Sequence, residues 1–140
     1  MNEQRLQPLL ALAQQRVDTA AGAVQRRRHE SVNEQARLTE LRGYLAEYET
    51  QEGQASRWQL ANHSAFMTRL RQAIGQQSQT VERAEQAVDD AVQQWSAQRL
   101  DQRRFELLQT QARDAQQAAR AHHEQGELDE LASRAQRLFR

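Results

Sequence analysis

The stretch LQPLLALAQQRVDTAAGAVQRRRHESVNEQARLTELRGYLAEY, residues 6–48, decides the fold. Read from Leu6 in alternating steps of four and three, it places Leu6, Ala13, Ala20, Arg27, Glu34, Leu41 and Tyr48 at one heptad position. Leu10, Val17, Val24, Ser31, Leu38 and Leu45 fall at the other. Apolar residues recurring at this spacing line one side of an α-helix, and a partner helix must cover them. Arg27, Ser31 and Glu34 interrupt the seam with a polar layer. In coiled coils such a layer fixes register at some loss of stability. The spacing predicts a first helix over about residues 4–52. Pro8 falls near its start, where a missing N–H costs little.

Beyond this helix, residues 52–56 read EGQAS, the glycine and small polar residues of a turn over about 53–58. Ser56 or Asn62 is suited to cap a second helix. A second apolar series then runs through Phe66, Leu70, Ile74, Val81, Ala84, Val88, Ala91 and Trp95. It continues less regularly through Leu100, Phe105, Leu108, Ala112, Ala115 and Ala119. This predicts a second helix over about residues 59–124. Gly126 is a candidate break, and a C-terminal helical arm comes after it over about 127–138, carrying Leu128, Leu131, Ala135 and Leu138.

The fold class is therefore all-α. One domain, residues 1–140, forms an antiparallel coiled-coil hairpin whose second helix is the longer. A turn centred near residue 56 sets Val24 opposite about Asp89, and brings Arg27 within reach of Glu82 or Glu85. Helix 2 and the arm together outlast helix 1 by about 25–30 residues. The chain from about Leu108 onward then lacks a partner helix.

Composition agrees. Only 38% of residues are hydrophobic and 5% aromatic, too few for a thick globular core, while one proline and five glycines leave long helices uninterrupted. Nineteen basic residues, all arginine, balance nineteen acidic ones. That balance argues against a general nucleic-acid binder and against a polybasic membrane anchor. Without cysteine there is neither a disulfide framework nor a thiolate metal site. No apolar run reaches membrane-spanning length, and the first sixteen residues lack a signal-peptide layout, so the default expectation is a cytoplasmic protein.

No constellation for catalysis emerges. The glycines are too scattered for a phosphate loop. His122 and His123 are adjacent, so on a helix they diverge by about 100° and do not chelate one metal. A two-helix hairpin also encloses no cavity in which a carboxylate is tuned. The expectation is a non-enzyme with no metal and no cofactor. The basic run Arg26, Arg27, Arg28 reads first as solvated helix surface, and alternatively as a contact for an acidic partner or nucleic acid. The aromatic residues say more. Tyr44, Tyr48, Trp58 and Phe66 cluster around the turn, with Leu41, Leu45 and Leu70 beside them. A two-helix tip has little interior, so exposed Tyr and Trp there suggest a binding site.

These residues, with LLALA at 9–13, Arg57-Trp58 after the turn, Phe66, Leu70, Ala73 and Ile74, and LDELASRA at 128–135, resemble the flagellar FliJ family of type III export proteins over nearly the whole chain. Gly126 departs from the family pattern, which has a helix-favouring residue thereabouts. The resemblance implies a hairpin similar to the two-helix stalk of rotary ATP synthases. It implies binding to the hexameric export ATPase FliI and to the export gate protein FlhA, and escort of export chaperones. The gate-facing patch would be Leu41, Tyr44, Tyr48, Phe66, Leu70 and Ala73. The ATPase-facing residues would be Leu128, Asp129, Glu130, Leu131 and Arg134. It implies a cytoplasmic location at the inner-membrane export apparatus, without insertion into the membrane and without nucleic acid. Two other readings share the helical pattern: a stalk protein of a virulence-type secretion system, and a coiled-coil scaffold that homodimerises through its tail.

Overall fold

The computed structural model describes the backbone of residues 2–50 and 57–139, and the side chains of 2–50 and 61–139. Among these there are two helices, α1 (Glu3–Glu49) and α2 (Arg57–Leu138), and no strand. Of the turn expected over residues 53–58, residues 53–56 lie outside the described residues, as does the side chain of Trp58, while Arg57 and Trp58 already belong to α2. Asn2 caps α1, its Oδ1 accepting the Arg5 N–H at 3.0 Å. Pro8 lies in the second turn rather than the first, so α1 forgoes the bond a residue there would make to the Gln4 carbonyl. At the other end, Thr50 Oγ1 donates to the Glu47 carbonyl at 2.7 Å.

α2 runs unbroken through Gly126, where the sequence suggests an interruption. A single glycine costs a helix only about 1 kcal/mol relative to alanine. Side-chain pairs four residues apart span it, His123 with Glu127 at 3.1 Å and Gln125 with Asp129 at 3.1 Å, and Glu130 with Arg134 at 3.0 Å follows a turn later. Each such pair returns a few tenths of a kcal/mol. Together they offset much of what the glycine loses.

By contacts the chain divides into two units, Asp18–Ser96 and Met1–Val17 with Ala97–Arg140. In the first, Val24, Ser31 and Leu38 of α1 are buried at strict seven-residue intervals, with Leu41, Leu45 and Tyr48 half-buried after them. α2 answers with buried Met67, Leu70, Val81 and Ala91. The α2 seam differs by one residue from expectation at its start, because Met67 is 1% exposed whereas Phe66 is 41% exposed. Phe66 belongs to an apolar step pattern but sits beside the seam. Met67 holds the seam position, three residues before Leu70.

Polar groups bridge the helices in this unit. Gln77 Nε2 donates to the Glu34 carbonyl at 2.9 Å and to its Oε2 at 2.6 Å, and Gln35 Nε2 donates to Glu85 Oε1 at 3.0 Å. Glu49 faces Arg71 at 3.7 Å. The two helices thus contact each other along this unit. The Arg27 pair expected with Glu82 or Glu85 does not form. Arg27 is exposed and turns to Glu30 at 3.1 Å, while Glu85 takes Gln35. Val24 lines one shallow groove with Val92 and Trp95, about one turn further along α2 than Asp89.

In the second unit Leu6, Ala13 and Val17 are buried on α1, and Gln102 is buried on α2 at 4% exposure. Gln102 donates to Gln14 Oε1 and accepts from Arg99 Nη1 at 2.6 Å, so its burial leaves no amide group unsatisfied. Leu100 and Leu108, expected in the core, are 52% and 44% exposed. The half-buried seam here runs through Gln98, Phe105, Gln109 and Ala112, with Gln102 at its centre. Arg113 pairs with Glu3 at 2.5 Å. From Arg113 through Phe139 every side chain is exposed, Ala115 and Ala119 included.

Candidate functional site

Two groups of residues stand out, one in each unit. In the Asp18–Ser96 unit, the heptad brings Tyr48 of α1 onto the start of α2. Its ring meets that of Phe66 edge-on, centroids 4.8 Å apart at 62°, and that of His63 at 6.2 Å. Edge-to-face contact suits the ring quadrupoles and fixes the orientation of Phe66 while leaving much of its surface in solvent. Tyr44, one turn before Tyr48, is 44% exposed. Its hydroxyl donates to Glu40 Oε1 at 2.8 Å, and this bond, followed by the carboxylate's charge, raises the Tyr44 phenol above its ordinary pKa. The phenol therefore stays neutral and its ring is tethered along α1.

Of the six residues assigned to this patch by resemblance, Tyr44 and Phe66 are exposed and Tyr48, Leu41 and Ala73 are half-buried. Leu70 is 7% exposed and lies in the seam. His63 is a residue the spacing passes over. It precedes Met67 by four and Leu70 by seven, a seam position, and its Nε2 is buried with no hydrogen-bond partner. The step pattern itself is the signal that finds it, since an apolar count does not score histidine.

In the other unit, the arm of α2 carries Leu128 and Leu131 at 61% and 59% exposure, with Asp129, Glu130 and Arg134 also exposed. Glu127, Glu130, Leu131 and Arg134 line a shallow open groove. Among the described residues no three His, Asp or Glu side chains come together in a metal-binding group. No helix there is long and apolar enough to cross a membrane.

The model of the family described as "Flagellar FliJ protein" matches residues 1–138. The chain belongs to the FliJ family. This is a structural family of the flagellar export machinery and not a known enzyme family. Neither a curated protein nor a solved structure matches the chain.

Proposed function

We propose that this FliJ-family chain is a non-enzymatic, stalk-like coupling component of the flagellar export apparatus, folded as an antiparallel hairpin. In this reading the aromatic patch of Tyr44, Tyr48 and Phe66 at the hairpin tip contacts a FlhA-like export gate. The arm residues Leu128, Asp129, Glu130, Leu131 and Arg134 contact a FliI-like ATPase hexamer, and export chaperones are carried as further partners. The family match over residues 1–138 is the observation that carries the reading. The exposure of Tyr44, Phe66, Leu128 and Leu131 supports it, since each is a large side chain that stays at least 41% exposed. Coupling then works through contacts alone: binding at one patch biases the assembly or turnover of the ATPase, with no catalytic group supplied.

Pulldown against the export gate protein and the export ATPase tests both patches. Tyr44→Ala with Phe66→Ala leaves helicity intact, because neither residue is in the seam, and weakens gate capture. Deleting residues 127–140 removes stimulation of the ATPase. Unchanged gate capture by the double variant, or full stimulation by the truncated chain, refutes the corresponding assignment.

A further inference from the structure

Leu128, Leu131, Ala135 and Leu138 succeed one another at three- and four-residue steps on a helix with nothing against it. Leu128, Leu131 and Leu138 are 61%, 59% and 82% exposed. This is a second seam and not the end of the first. Its heptad phase is two positions away from that of Phe105 and Ala112, and at 100° per residue the stripe is turned roughly a third of the way around α2 from them. An a/d stripe on a solvated helix calls for another helix. We propose that the occupant is a second copy of this chain, docked arm to arm in antiparallel orientation.

Charge selects both the partner and the direction. With Leu128 of each copy against Leu131 of the other, Leu138 faces Ala121 and Ala135 faces Glu124. Glu127 then flanks the seam near Arg134 of the second copy. The two-fold axis repeats this pair, so each end of the leucine core is closed by one opposite-charge contact. A parallel pairing sets Glu127 against Ala132 and forms no such contact. In the single chain Glu127 and Arg134 touch only His123 and Glu130 on their own helix, and both remain about two-thirds exposed. Each has room for a partner across the interface.

The length of the arm fits as well. In this register Phe139 of one copy reaches residue 120 of the other. Among the described residues the ion pair between the helices that lies furthest along α2 is Glu3 with Arg113, and the overlap ends about two turns short of it. The paired segment thus uses the stretch in which every side chain is exposed. Leu128, Leu131 and Arg134 are also the residues proposed to face the ATPase. Self-pairing therefore competes with that contact and covers the leucines when the ATPase is absent. The pairing itself stands independently of the ATPase assignment.

Sedimentation equilibrium of the full chain over roughly 10 to 500 µM tests this, a range suited to a short seam with two leucine layers. The weight-average mass rises from 16.2 kDa toward twice that value. Glu127→Arg and Arg134→Glu each place like charges at both ends and weaken association roughly tenfold. Mixing those two variants restores it, because each then meets the opposite charge, and so does the double variant Glu127→Arg/Arg134→Glu. Leu131→Asp abolishes association at unchanged helicity. A mass fixed at one chain across the range overturns the proposal, as does failure of the mixture and the double variant to recover.

Discussion

At the scale of single residues, neighbours in sequence do different work. Phe66 and Met67 are both large and apolar, yet Met67 is 1% exposed and Phe66 41%. Removing a buried methionine side chain loses its transfer energy and leaves a cavity that a helix pair fills only in part. Met67→Ala is therefore expected to cost about 3 kcal/mol in urea unfolding. Phe66→Ala loses one edge-on ring contact and half a buried surface, for about 1 kcal/mol. Equal losses from the two would mean that the seam runs through Phe66. Tyr44 shows the same division on α1. It donates to Glu40 and packs into no core, which suits a residue held ready for a partner.

At the scale of helices, much was legible because a heptad is a simple code. Of the thirteen α1 positions chosen by step, only Arg27 is exposed, and Ser31 is buried although it is polar. Position on the helix outweighs residue type there. Between Leu100 and Ala119 the spacing misleads for the same reason in reverse. Apolarity favours Leu100 and Leu108, while the seven-residue repeat continuing from Ala91 leads to Gln98, Gln102 and Phe105. Gln102 is buried because Gln14 and Arg99 satisfy its amide, a pairing that lies 88 residues apart for Gln14 and that no local pattern announces. The candidate site divides likewise. The exposed aromatic residues are visible as a cluster in the sequence, but which of them lie on the seam is decided by phase. Gly126 obeys the same logic. A Cβ there meets nothing within 4 Å. Gly126→Ala is expected to stabilise the arm by about 0.5–1 kcal/mol, seen as slower amide exchange over residues 114–138. No change in exchange would mean that the arm is held by something other than its own helix propensity.

At the scale of the whole molecule, the buried residues that carry stability are not those proposed to meet partners on the arm. Among the described residues the buried side chains all lie between Leu6 and Gln102, and none lies past Arg113. Cooperative unfolding measures buried surface, so at concentrations low enough to keep the chain single, deleting residues 114–140 is expected to change the unfolding free energy by less than about 1 kcal/mol. Far-ultraviolet ellipticity falls over the same deletion, because a helical segment is gone. Deleting 97–140 has a different result. It removes Gln102, Phe105 and Ala112, so Leu6, Ala13 and Gln14 lose the part of α2 that shares their unit. Exposing Leu6 alone costs about 2 kcal/mol, and the first turns of α1 are expected to fray with it. Urea unfolding of the full chain and the two truncations, monitored by ellipticity, separates these outcomes. A large loss on removing 114–140 would show the arm packed against its own chain, and would leave no free leucine stripe for a partner to use.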